Sequence, residues 1–209
     1  MLTLYSMPSS GNSYKVRLLL ALLGRPYQHV ACETQSAALD AAKTEGKLPQ
    51  GKVPALHLET GEVLGESNAI LWYLASGTDW VPTDSLSQAQ MLGWMFFEQN
   101  RHEPVIAVRA SLLCYPHLAR EATPEVLSDL LSSGQHLLAI LDQGLEGRNW
   151  LCCDRPTIAD ISLYAYTHTA ESRGGFDLSP FKNVRAWLSR MGSLPGYIAL
   201  TDMAGQRDG

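Results

Sequence analysis

The chain has 209 residues, 45% of them hydrophobic and 18% charged, enough to bury a core as one domain or two small ones. Its formal net charge of -5 argues against a general nucleic-acid partner, because an acidic surface repels phosphate. No apolar run approaches the ~18 residues of a membrane span, and the N-terminus lacks a signal-peptide pattern, so a cytoplasmic protein that avoids membranes is expected.

"LTLYS" (Leu2 to Ser6) alternates apolar and polar residues and predicts a first strand. The turn that follows carries three hydroxyls, Ser9, Ser10 and Ser13. A helix is expected from about Asn12 to Leu23, with Val16, Leu19, Leu20 and Leu23 on one apolar face and Gly24 and Pro26 as its stop. "PYQHVA" resumes a strand pattern, and Ala37 to Lys43 reads as a second, weaker helix. In "VPALHLETGEVLG" two apolar alternations flank Thr60-Gly61, which is a hairpin signal, and Pro54 must begin or edge that hairpin because it cannot donate to a ladder. "ESNAILWYLA" then predicts a third helix capped by Ser67.

The polar stretch from Ser76 to Gln88 reads as a linker, and helical spacing dominates after it. Leu92, Met95 and Phe96 form one expected helical face. Leu127, Leu130, Leu131, Leu137, Leu138 and Leu141 form another. Cys32, Cys114, Cys152 and Cys153 have no CxxC or metal-like spacing. Reduced, mostly buried thiols and no bound metal are expected.

Where could chemistry sit? A helix N-terminus exposes unsatisfied backbone N–H groups and about half a positive charge, so the Ser9 to Ser13 turn can hold an anion. Glu66-Ser67 starts a second such helix, and the pair could grip two ends of one acidic ligand. The plainer alternative is that Ser10, Asn12 and Ser67 only cap helices. Val53-Pro54 matters because X-Pro bonds are where cis peptides occur; a cis bond would turn the Val53 backbone away from the hairpin, free to pair with an extended peptide. "GESNA" has the setting of a serine-hydrolase elbow, but an apparent hairpin before it and helices after it leave no room for a long parallel sheet.

Taken in order and spacing, "LYSMPSSGNSYKVRLLLALLG", "GKVPAL" and "GESNAILWYLA" resemble the thioredoxin-like domain of soluble glutathione transferases. "RPTIADISLYAY" (Arg155 to Tyr166) resembles that family's second-domain motif, with Thr157 as N-cap and Asp160 at N3 of a capping box. The resemblance implies an α/β thioredoxin-like domain over residues 1-77, a linker over 78-87 and an all-helical domain over 88-209 that forms the electrophile site. It also implies a homodimer with glutathione as co-substrate.

Serine-type, zeta-like members are the most similar, which places Ser10 at the thiol-donor position. Asn12 stands where zeta-like members carry cysteine, a departure from the isomerase pattern, and is the rival donor. By the same resemblance Val53, with Pro54 cis, would pair with the cysteinyl backbone through its N–H and C=O, and Glu66 and Ser67 would hold the γ-glutamyl end. Ser9, Gly11 and Lys52 complete the implied glutathione contacts. "FFEQNRHEPVIAVR" is similar to the helix that lines the electrophile site in bacterial members, offering His102 and Arg109, seven apart on one face; a solvated helix face is the alternative. Pro104 should kink or break that helix. His168, on the apolar face with Ile161 and Tyr164, reads as a core histidine.

The implied activity is glutathione conjugation to a small hydrophobic electrophile. A thiol near pKa ~8.5 must fall by roughly two units to be mostly thiolate at neutral pH, about 2.7 kcal/mol. A hydrogen bond to a charged acceptor, about 1.5–3 kcal/mol, and a helix N-terminus, about 0.3–1 kcal/mol, supply that together. The alternatives are a binding or protein-interaction module that keeps the fold without turnover, a glutathione-dependent isomerase, and a disulfide or dehalogenation enzyme, which usually wants cysteine where Ser10 stands.

Overall fold

In the computed structural model, which describes residues 1–202, two units separate: Met1–Val81 together with residues 193–202, and Pro82–Gly192. The boundary falls within the polar stretch expected as a linker. The return of the last segment to the first unit differs from the expected 88-209 helical domain. Two side chains of the first helix account for it: the Tyr14 hydroxyl donates to the Ile198 carbonyl at 2.6 Å, and Arg17 Nη2 to the Leu200 carbonyl at 2.8 Å.

In the first unit the described residues form a four-stranded sheet in the order β2-β1-β3-β4. Strand β1 (Leu2–Ser6) is central, and its alternation buries Leu2, Leu4 and Ser6. It pairs in parallel with β2 (Tyr27–Ala31) and antiparallel with β3 (Ala55–His57), which pairs antiparallel with β4 (Val63–Leu64). The parallel pair needs a crossover, and α1 (Gly11–Leu22) is that crossover. Its Val16, Leu18, Leu19 and Leu20 are fully buried, and it packs against α3 (Ser67–Ala75). Helix α2 (Ala37–Thr44) closes a smaller cluster of Cys32, Ala42, Leu48 and Ala55, against which Val53 and Val63 pack.

The expected Ser67 cap is corrected: the N-cap of α3 is Glu66, at φ 59°, and Ser67 is the first helical residue. The chain therefore turns into the helix through a left-handed residue instead of through an extended serine whose hydroxyl caps the next turn.

The second unit is helical: α4 (Ser85–Phe97), α5 (Glu103–Cys114), α6 (Pro124–Gly144), α7 (Ile158–Thr167), α8 (Ala170–Gly174) and α9 (Lys182–Gly192). On α4 the buried positions are Met91 and Met95; Phe96, expected on the apolar face, is 62% exposed. The chain meets Pro104 by widening into a π-helical turn, Glu98–His102, between α4 and α5. That turn buries Glu98 and His102 together, and each side chain finds a partner on α7: the Ser162 hydroxyl donates to Glu98 at 3.1 Å, and His102 Nε2 lies 3.1 Å from Thr167 Oγ1. On α6, Gly134 is a close-approach site, since a Cβ there would collide with the Phe176 ring and sit 3.0 Å from Ile106 Cδ1. Gly134→Ala should lower stability by about 1–3 kcal/mol through overpacking, despite the better helix propensity of alanine; urea unfolding measures it, and an unchanged midpoint would contradict the packing.

At the start of α7 the motif read as a capping box is present. The Asp160 carboxylate, fully buried, accepts from the Thr157 N–H at 2.8 Å and also from the Leu151 N–H and the Trp187 indole N–H. His168 is the core histidine expected, its Nδ1 2.9 Å from the Tyr164 carbonyl and its ring stacked on Tyr164. Among the described residues no helix is long and apolar enough to cross a membrane.

Candidate functional site

The chain between β1 and α1 is held from below by charge. Arg17, fully buried, donates from Nη1 to the Met7 carbonyl at 3.2 Å and to Ser6 Oγ at 3.3 Å, and from Nη2 to the Pro8 carbonyl at 2.9 Å. Ser6 Oγ also lies 2.7 Å from His29 Nε2. Burial, reinforced by the Arg17 charge, holds His29 below the usual imidazole value and so favours the neutral ring. Ser13 adds a brace, its buried Oγ accepting from the Met7 N–H at 3.0 Å.

The three hydroxyls of the opening turn thus divide. Ser13 is buried and spent on Met7. Ser9 is spent on Glu33, which accepts from its hydroxyl at 2.8 Å and from its N–H at 3.2 Å. Ser10 is the N-cap of α1, at φ -85° and ψ 130°, and its Oγ accepts from the Ser13 N–H at 3.4 Å. A capping serine uses a lone pair for that bond and keeps its O–H as a donor. Gly11 opens the helix and is buried.

Asn12, one residue further into α1, reaches across to α3, where its Oδ1 accepts from the Ser67 hydroxyl at 3.2 Å. The two helix starts, 55 residues apart in sequence, therefore meet within one hydrogen bond. Beneath Ser67 lies Lys15, fully buried, its Nζ 3.5 Å from Ser67 Oγ.

On the sheet side, the Val53–Pro54 peptide is cis, and Val53 lies ahead of the ladder pairs, which begin at Ala55. Glu66 is exposed, its left-handed conformation costing about 1–3 kcal/mol, a cost that clusters at ligand clamps. Lys52 is exposed next to Val53. Ser67 has no elbow geometry for a hydrolase: the strand before it, β4, pairs antiparallel, and the hydroxyl is engaged with Asn12 and Lys15.

His102 and Arg109 lie in the other unit, where each bonds to neighbouring helices. His102 is fully buried against Thr167, as described. Arg109 donates from Nε to the Gly174 carbonyl at 2.7 Å and from Nη1 to the Leu127 carbonyl, tying α5 to α8 and α6, with its guanidinium 5.7 Å from the centre of the Phe176 ring. Both side chains stabilise helix packing.

Lys15, Arg17 and Glu33 had no role assigned from sequence. The available signal was two cations flanking Val16 inside a leucine-rich helix, where a buried charge must be paired to be tolerated. Glu33 has no comparable local signal, since it meets Ser9 only because β2 lies beside β1.

Residues 4–79 match the family model for the glutathione S-transferase N-terminal domain, and residues 122–190 the model for its C-terminal domain. A crystal structure of a possible glutathione S-transferase from Rhodopseudomonas palustris is 42% identical, with a TM-score of 0.89, over 97% of this chain and 91% of that one. This chain belongs to the glutathione S-transferase family. Its fold is that family's thioredoxin-like domain joined to an all-helical domain. A glutathione S-transferase structure from Pseudomonas fluorescens is 39% identical, with a TM-score of 0.89, over 96% of this chain and 99% of that one. Among curated relatives, elongation factor 1-gamma-A of Xenopus laevis is 29% identical over 95% of this chain, which spans 46% of that protein's length. The glutathione S-transferase family thus includes at least one relative named for a different role, so in this transferase-fold chain activity has to be argued from the site.

Proposed function

We propose that this family member is a serine-type glutathione transferase that binds the tripeptide in the first unit and activates its thiol for attack on a small hydrophobic electrophile. The observation that carries this function is the Ser67–Asn12 hydrogen bond at 3.2 Å, which brings the starts of α1 and α3 together into one anion-receptive edge beside the cis Val53–Pro54 bond. Glutathione carries carboxylates at both ends and an extended backbone between them, and this edge offers a complement to each part. Ser67, through its hydroxyl and helix-start N–H, takes the γ-glutamyl carboxylate, with Glu66 attracting the amino group. Val53 pairs with the cysteinyl backbone, and Lys52 faces the glycine carboxylate.

That placement puts the thiol over the start of α1, where Ser10 is the donor. Its oxygen already accepts from Ser13, so the hydroxyl proton is directed outward, onto sulfur. Asn12, its carbonyl oxygen engaged by Ser67, belongs to the γ-glutamyl end and orders it. Glu33 fixes Ser9 and so the approach to Ser10. The protein acts as a homodimer in the cytoplasm.

Immobilised glutathione should retain the wild-type protein and release it to free glutathione at millimolar concentration, with conjugation of a generic aromatic electrophile detected in the eluate. Passage of the folded protein through the column would favour a module that keeps the fold without the ligand.

A further inference from the structure

We infer that Lys15 is a positioning residue for the γ-glutamyl carboxylate of glutathione, acting through Ser67. Lys15 is 0% exposed, and its Nζ lies 3.5 Å from the oxygen of Ser67, itself only 5% exposed. Other polar side chains at the start of α1 and in its second turn support the loop: Ser10 caps, Ser13 braces Met7, and Arg17 holds the Met7 and Pro8 carbonyls. Lys15 reaches in the other direction, from α1 to the first residue of α3.

The direction of the hydrogen bonds gives the role. An ammonium has three donors and no acceptor, so Lys15 can only occupy a lone pair of the Ser67 oxygen. The single Ser67 proton must then point away from Lys15, and in this structure it goes to Asn12 Oδ1 at 3.2 Å. A carboxylate arriving at the start of α3 is a stronger acceptor than an amide oxygen. The Ser67 O–H swings from Asn12 to the carboxylate, while Lys15 keeps the oxygen's other side occupied and places a positive charge behind the serine. Ser67 thereby becomes a donor of fixed direction with a cation in its second layer, and discrimination for a negatively charged γ-glutamyl end follows.

Lys15's role rests on glutathione binding at this site, and the test separates the two. The probes are glutathione and 4-aminobutanoyl-cysteinylglycine, the same tripeptide without the γ-glutamyl carboxylate, each titrated calorimetrically into wild type, Lys15→Met and Lys15→Gln. Wild type should prefer glutathione at least tenfold. In either variant that folds, by circular dichroism, glutathione affinity should fall at least tenfold while affinity for the decarboxylated tripeptide changes less than twofold. A generally damaged fold would weaken both ligands equally, and that outcome overturns the role of Lys15 while leaving glutathione binding intact. Equal affinity of wild type for the two tripeptides overturns it without any variant. Failure of wild type to bind glutathione at millimolar concentration overturns the proposed function itself.

Discussion

Asp160→Ala should lower the unfolding free energy by at least about 3 kcal/mol. The carboxylate sits in a site with no solvent exposure and accepts from three buried N–H donors: Thr157 at 2.8 Å, Trp187 Nε1 at 3.0 Å and Leu151 at 3.1 Å. Alanine strands all three. Each stranded donor costs about 1–3 kcal/mol, so even the low end removes a large share of a typical domain stability of about 5–15 kcal/mol. The donors also come from three places, the end of the loop before α7, the start of α7 and the middle of α9, so the loss loosens the joint between them. Urea unfolding followed by Trp fluorescence measures the change; a loss under about 1 kcal/mol would mean that the donors find other partners.

The same group gives a pH dependence with a definite sign. Burial pushes the Asp160 carboxyl up to about 6, against the downward pull of its donors. Between pH about 6 and about 4 the folded chain holds a proton that the unfolded chain has released, and stability attributable to Asp160 therefore grows as pH falls through that window and is lost as pH rises through about 6. Asp160→Asn cannot titrate. The difference in unfolding free energy between wild type and Asp160→Asn should shift in favour of wild type on going from pH 7 to pH 4, and a flat difference would show that the donors cancel the effect of burial.

Much of the fold was legible because it is local. The strand alternation of Leu2 to Ser6, the helix that follows, the hairpin about Thr60-Gly61 and the Thr157–Asp160 box are each written in fewer than about fifteen consecutive residues, and each formed. The departures share a cause as well. Serine before an apolar run predicts a cap at Ser67, but Glu66 adopts a left-handed conformation that only the surrounding fold selects. Phe96 looked like part of an apolar stripe, yet α4 leads into a π-helical turn at Glu98–His102, and α4 itself buries Met91 and Met95 instead.

The candidate site was legible to the same degree. Cap-forming serines and an X-Pro before a strand are visible in any sequence. Which hydroxyl remains available is a question about partners 24 to 55 positions away: Ser9 to Glu33, Ser67 to Asn12 and Lys15. His102 and Arg109 show the same limit: seven-residue spacing predicts one shared face, but the partners that face meets, Thr167, Gly174 and Leu127, lie 18 to 65 positions away.

Ser10→Ala should lower kcat/KM for conjugation at neutral pH by about 10–150-fold, the kinetic equivalent of the about 1.5–3 kcal/mol carried by one hydrogen bond to a charged acceptor. The loss should appear in the thiol: the pKa of bound glutathione, read from thiolate absorbance or from the pH profile of kcat/KM, should rise by one to two units, while glutathione affinity changes little. Alanine also removes the N-cap of α1, worth about 0.5–2 kcal/mol of stability, so Ser10→Thr is the control, because it restores both cap and hydroxyl and should recover most of the rate. Asn12→Ala should behave differently. Its oxygen accepts from Ser67 at 3.2 Å, so its removal should raise KM for glutathione and leave the thiol pKa near its wild-type value. If the thiol pKa rises in Asn12→Ala and stays fixed in Ser10→Ala, the two roles are exchanged, and the sulfur sits two residues deeper along α1 than the cap.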